Sequence, residues 1–164
     1  MTGPGALKPD SILRLKVPEK AQVSCVTVHA TSVCVDGSAA LLIGPSGSGK
    51  SSLALQMIGF GAQLISDDQT TMKLTDGGEI RLSAPVAIRG MIEARGIGLL
   101  RADHVEASKL RLIVNLAEVE TDRLPERRHV PVLGCLIRYV HKTESPAFAA
   151  AILQYLKAGE VHDR

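Results

Sequence analysis

Apolar and polar positions become ordered only after about residue 20. Residues 1–20 hold Gly3, Pro4, Gly5, Pro9 and Pro18 with little periodicity, which predicts an N-terminal tail or loosely docked arm. Residues 21–164 are expected to form the folded domain. From Val23 to His29, Val26 and Val28 alternate against Thr27 and His29, a strand pattern. Val33 to Val35 predicts a second strand, and Asp36-Gly37 a tight hairpin turn. Ala39 to Ile43 is continuously apolar, as a strand buried on both faces should be.

A glycine loop follows, then a helix over about Lys50 to Ile58. Its Leu53, Ala54, Met57 and Ile58 recur at helical spacing, and Gly59 and Gly61 bracket its end. Gln63 to Ser66 predicts a short strand running into Asp67-Asp68. Thr70 to Leu74 and Glu79 to Leu82 predict a hairpin around Asp76-Gly77-Gly78. Residues 84–105 are glycine-punctuated and carry no clear period. Leu110 to Leu116 reads as a strand. A final helix is signposted by Ser145 as its cap, Pro146 in its first turn and Gly159 at its end. Phe148, Ala151, Ile152, Tyr155 and Leu156 would make its apolar stripe. The expected fold class is α/β: a single three-layer domain, a mixed sheet flanked by helices.

Composition narrows the function. The 164 residues are 45% hydrophobic and 22% charged, ordinary for a globular chain. Two Phe, two Tyr and no Trp leave the core to aliphatic side chains. That scarcity also argues against single-stranded nucleic-acid binding, which relies on aromatic stacking. A net charge of +2, with both signs interspersed, gives no footprint for DNA or a membrane surface. No apolar run approaches membrane-spanning length and no signal pattern is seen, so the expected address is cytoplasmic. Cys25, Cys34 and Cys135 form no C-x-x-C pair and are expected to be small buried hydrophobes, with a Cys25–Cys34 disulfide not favoured.

The strongest chemical signal is Gly44-Pro45-Ser46-Gly47-Ser48-Gly49-Lys50-Ser51, a full match to G-x-x-x-x-G-K-[ST]. It stands where that motif must, after a buried strand and before a helix. Glycines let the backbone N–H groups converge on phosphate oxygens, and the helix N-terminus adds partial positive charge. Lys50 would reach the β- and γ-phosphates of ATP, and the Ser51 hydroxyl would help hold Mg²⁺. Ser52, next on the helix, extends the nucleotide-contacting run.

Nucleotide chemistry also needs a carboxylate at a nearby strand end. Asp67-Asp68 fits: one to act on Mg²⁺, the other to accept the proton of an incoming hydroxyl. A turn-initiating Asp pair is the plainer alternative. Glu93, in Met91-Ile92-Glu93-Ala94-Arg95-Gly96-Ile97-Gly98, is either part of a close-approaching backbone or half of a solvated Glu–Arg pair. His29 alone reads as a hydrogen-bonded strand-end histidine. Arg123, Arg127, Arg128 and His129, interleaved with Glu118, Glu120, Asp122 and Glu126, read as a solvated loop. His104, His141 and His162 have no metal-ligand spacing.

Taken together, these features resemble the catalytic domain of HPr kinase/phosphorylase, the bacterial enzyme that phosphorylates a serine of the phosphocarrier HPr. The resemblance runs over about residues 21 to 125. It rests on His29 through Val35-Asp36-Gly37, the loop from Gly44 to Ser51, Asp67-Asp68, Ile92-Glu93-Ala94-Arg95-Gly96-Ile97-Gly98, and Asp122-Arg123-Leu124. It implies that His29 lies near the transferred phosphoryl group and that Lys50 and Ser51 bind ATP and Mg²⁺. It further implies that Glu93 is a magnesium ligand, that Asp68 or else Asp67 is the proton acceptor, and that Arg123 is the catalytic arginine. HPr would be the partner, and a homohexamer the assembly.

The sequence departs from the family at Pro45 and Ser52, where acids are usual. Only Val130-Pro131-Val132 echoes the later V-P-V-x-x-G-R-N stretch, and no counterpart of the long enzymes' N-terminal domain is seen. These departures favour kinase over phosphorylase activity. A small-molecule kinase and a nucleotide sensor without turnover are the alternatives. The phosphate-loop assignment predicts that Lys50→Ala abolishes useful MgATP binding while leaving the fold intact. Calorimetry on the variant checks this, and unchanged affinity would refute the assignment.

Overall fold

The computed structural model describes residues 24–161, so the tail expected over residues 1–20 lies outside the described residues. The first strands are β1 (Cys25–Val28), β2 (Thr31–Val35) and β3 (Ser38–Ile43), followed by helix α1 (Lys50–Gly59). Next come β4 (Gln63–Ser66), β5 (Thr70–Leu74) and β6 (Ile80–Ser83). A single 3₁₀ turn at Val86–Ile88 leads to a small hairpin, β7 (Met91–Ala94) and β8 (Gly98–Arg101). The chain ends with β9 (Ala107–Val119), β10 (Arg128–Val132), β11 (Cys135–Lys142) and α2 (Phe148–Ala158).

Nine strands form one mixed sheet in the order β1-β5-β6-β9-β3-β2-β4, with β11 also beside β9 and β10 beyond β11. The Asp36-Gly37 turn forms as the sequence predicts: both residues have positive φ, 50° and 76°, which matches the right-handed twist of β2 and β3. Because β2 is antiparallel to both β3 and β4, the latter two run the same way. β3 is also parallel to β9, and β9 to β11. The C-terminal ends of four strands therefore face one edge of the molecule, where open α/β sheets hold ligands.

Alternation along β3 divides the core. Ala40 and Leu42 pack with Leu53 and Met57 of α1 and Ile152 and Leu156 of α2. Ala39, Leu41 and Ile43 face the other way, into a core of Ile65, Met72, Leu82, Ile137 and Tyr139. That second core is supplied by strands and their connections, and no described helix contributes to it. The mixed α/β sheet with flanking helices is the expected class, and β2 and β3 are buried on both faces as their apolar runs require.

Several details differ from the sequence reading. Cys34 is buried, but Cys25 is exposed and Cys135 half-buried, and all three are free thiols. Cys25 lies on an edge strand with little above it, and the Cys135 thiol donates to the Gly78 carbonyl at 3.3 Å. Ser145 does not cap α2. Its hydroxyl oxygen accepts the Ala147 N–H at 3.1 Å in a turn just before the helix, and the cap position falls to Ala147. The helix buries Ala149, Ile152, Leu153 and Leu156, with Phe148 and Tyr155 partly covered, while Ala151 faces solvent. Four of the five stripe residues thus pack against the core, and Ala149 and Leu153 take the place expected of Ala151.

The expected solvated loop around Arg128 and His129 is instead strand β10. Arg128 pairs there with Glu120 at 2.7 Å, so its charge is satisfied within the sheet and does not mark a loop. Neighbouring Arg138 on β11 is buried, with a forked pair to Glu160 at 2.9 and 3.0 Å and a third bond to the Tyr139 carbonyl. This fork anchors the chain beyond α2 to the sheet. Glu160→Ala leaves that guanidinium buried without its carboxylate and is expected to cost about 3 kcal/mol, read from the midpoint of a urea unfolding curve.

Candidate active site

The phosphate loop follows directly from β3 and ends where α1 begins. Gly44, Gly47 and Gly49 all have positive φ, 152°, 83° and 99°. At Gly44 a Cβ would sit 2.4 Å from the Ser48 hydroxyl oxygen, so only glycine lets the loop close. At Gly47 and Gly49 nothing lies within 4 Å of where a Cβ would point, leaving an open concavity over the helix N-terminus. The Ser48 N–H bonds back to the Pro45 carbonyl at 3.0 Å and fixes the curl.

Lys50 is folded onto the loop, donating to the Gly44 carbonyl at 2.6 Å and to that of Pro45 at 3.1 Å. Burial pulls its ammonium pKa below the ordinary lysine value, while the charges of Asp68 and Asp67 oppose that pull. The lysine thus already sits in the field of the acid pair.

That pair is divided by its own backbone. The β1–β2 and β4–β5 connections lie side by side, joined by the Ala30 N–H to the Asp68 carbonyl at 3.0 Å and the Thr70 hydroxyl to the Ala30 carbonyl at 3.0 Å. Asp68 adopts φ +69°, a left-handed conformation that Asp tolerates better than most residues. The turn sends the two carboxylates apart. Asp67 is buried: its Oδ1 accepts the Thr31 hydroxyl at 2.9 Å and the Ser51 hydroxyl at 2.7 Å, and its Oδ2 accepts the Glu93 N–H at 3.0 Å. Asp68 is open to solvent at 69% side-chain exposure and bonds His29 Nε2 at 2.6 Å. One acid is fully engaged; the other faces outward beside a histidine.

These groups line a cleft of about 220 Å³. Ser46, Gly47, Gly49, Lys50, Ser51 and Ser52 form its loop side, and His29, Asp68, Glu93 and Arg95 face them. Glu93 lies on β7 and Arg95 opens the turn that follows it, and both line the cleft. Of the expected site residues, Gly44 and Pro45 act through their carbonyls, and Ser48 borders an adjacent hollow. Arg123 does not reach the cleft within this chain. It is exposed and lines a separate hollow beside Phe148 and Tyr155 of α2.

Two residues escaped the sequence reading. Thr31 holds Asp67 across 36 positions, and no spacing signal announces such a link. Arg95 is the arginine this chain itself puts at the cleft, and the sequence signal for it was its place in the Ile92–Gly98 run.

Both halves of the cleft belong to the segment matched by a model of the HPr Serine kinase C-terminal domain, which covers residues 21–132. The chain belongs to this family. Among HPr kinase/phosphorylases it is 36% identical to that of Bordetella pertussis over 125 residues, 70% of this chain and 40% of that protein. It is 33% identical to that of Caldanaerobacter subterraneus over 109 residues, and 38% identical to that of Brevibacillus brevis over 74. Those stretches cover 62% and 45% of this chain, and 36% and 24% of the respective relatives. The chain therefore spans well under half the length of these proteins. The HPr(Ser) kinase/phosphatase from Coxiella burnetii superposes with a TM-score of 0.67 over 80% of this chain and 88% of that one, at 22% identity, a likeness of fold.

In this chain Asp67 thus ties β2, α1 and β7 together at the cleft. Thr31→Val keeps the shape but removes a buried donor to that carboxylate, at an expected cost of about 2 kcal/mol. Denaturant titration of the variant measures it, and a change under a few tenths would mean that Thr31 carries no such load.

Proposed function

We propose that this chain is an ATP-dependent protein-serine kinase acting on HPr. The observation that carries this reading is the outward carboxylate of Asp68, 2.6 Å from His29 and across the cleft from the phosphate loop. A pure nucleotide sensor has no use for such a base, and the HPr kinases that the chain is similar to supply the acceptor.

On this reading the loop amides and Lys50 bind the β- and γ-phosphates of ATP as substrate. The open concavity at Gly47 and Gly49 fits such oxygens. Asp68 takes the proton from the acceptor serine while His29 orients its carboxylate. The serine oxygen bonds to the γ-phosphorus, the bond to the β–γ bridging oxygen breaks, and ADP leaves with that electron pair. Arg95 offers positive charge to the transferring group.

Mg²⁺ would be held by Ser51 and Glu93, with Asp67, whose oxygens already take three donors, acting on the water of the ion. Among the described residues no three His, Cys, Asp or Glu side chains cluster tightly enough to bind a metal alone. That donor set suits an ion completing its shell with phosphate oxygens and water, as Mg²⁺ does. When bound, the ion neutralises charge on the β- and γ-phosphates.

Assembly with further copies of the chain, a cytoplasmic address and phosphorolysis weaker than forward transfer complete the proposal. No described helix is long and apolar enough to cross a membrane. Asp68→Asn is expected to lower transfer to purified HPr by about 10²–10⁴-fold while retaining MgATP binding. Mass spectrometry of HPr after incubation with ATP and Mg²⁺ reads the transfer. Full transfer by the variant excludes Asp68 as the base, and no transfer by the unaltered chain excludes the kinase reading.

A further inference from the structure

Glu93 and Arg95 reach the cleft from a hairpin that forms a two-stranded sheet of its own, apart from the nine-stranded sheet that leads into the phosphate loop and the acid pair. Strand pairing therefore does not set where these two side chains stand. Ile92 is buried in the helix-side core and holds the hairpin down, but burial has no direction and leaves the angle open. Directional contacts must supply the rest. One is the bond from the Glu93 N–H to Asp67 Oδ2 at 3.0 Å.

Another lies at the hairpin's base, around His104. Gly90, just before β7, is buried with φ +74°, and a Cβ there would sit 2.8 Å from His104 Nδ1 and 2.9 Å from Cε1. The imidazole rests directly on the Gly90 backbone, a seat that only glycine leaves open. The ring is itself fixed. Its Nδ1 donates to the Ala102 carbonyl at 3.1 Å, and the Ala102 N–H closes the hairpin base on the Gly90 carbonyl at 2.9 Å. The backbone on either side of His104 is bound to β4: the Leu64 N–H donates to the Asp103 carbonyl at 2.9 Å, and the Val105 N–H to the Leu64 carbonyl at 3.0 Å. β4 then ends at Ser66 and runs into Asp67. The ring thus clamps the hairpin to the strand that delivers the acids.

We propose that His104 is a positioning residue, which sets the angle at which β7–β8 presents Glu93 and Arg95 to Asp68 and the phosphate loop. Its ring is exposed and acts on the cleft only through the hairpin. The kinetic consequence rests on the kinase reading of the cleft, whereas the structural one rests on the hairpin alone, so the test has two arms. His104→Ala removes the ring while Ile92 keeps the hairpin docked. His104→Asn retains a planar amide that can donate to the Ala102 carbonyl.

In the first arm, hydrogen exchange at the Glu93 amide is expected to be about tenfold faster in His104→Ala, with the α1 amides unchanged and His104→Asn close to the unaltered chain. In the second, kcat for transfer to purified HPr is expected to fall about tenfold in His104→Ala, with KM for ATP held within about twofold and most of the rate restored by His104→Asn. A general loss of packing would speed exchange in α1 as well and lower the urea midpoint, and that pattern overturns the proposal. Unchanged Glu93 exchange in His104→Ala overturns it too, as does an undiminished kcat or an Asn variant no better than Ala. If the unaltered chain transfers nothing, the kinase reading fails, and the exchange arm alone decides for or against His104.

Discussion

The buried carboxylate of Asp67 is the junction on which the site depends. A charge taken out of water is tolerated only when its oxygens are satisfied. Here three donors from three elements do this: the Thr31 hydroxyl of β2, the Ser51 hydroxyl of α1 and the Glu93 amide of β7. The same bonds therefore fix the helix that follows the phosphate loop, the strand that begins beside His29 and the hairpin that carries Glu93 and Arg95. Moving any one of them would leave the acid short of a donor. Function and local stability share this one group.

The sheet makes that junction possible. β3 and β4 run the same way, so the loop after one and the acids after the other emerge at the same edge. The left-handed turn at Asp68 then uses adjacent residues for opposite purposes. Asp67 points inward to hold the site, and Asp68 points outward to His29 and solvent. Two neighbouring carboxylates that would otherwise repel and compete for the same partners are kept to separate environments.

Local features were legible in the sequence because their causes are local. The apolar run of β3, the Asp36-Gly37 turn and the loop with its helix all depend on residues within a few positions of one another, and each stands as read. The start of α2 was misjudged because Ser145 serves a turn that resembles a cap from sequence alone. Strand β10 was hidden by charge. Arg128 looks solvated until Glu120 is brought against it.

The sequence by itself determined the α/β class, the phosphate loop and, through resemblance, the roster of acids around it. Only the tertiary structure decided which acid is buried and which faces solvent. Asp67 and Asp68 are chemically identical, and their environments separate only when Thr31, 36 positions from Asp67, and His29, 39 positions from Asp68, come to opposite sides of one turn. It likewise put Arg95 at the cleft and Arg123 beside α2. The reason is physical: a hydrogen bond spanning a few ångströms takes its partner from whichever strand the sheet pairs alongside, and that pairing is not written in any local stretch of the chain.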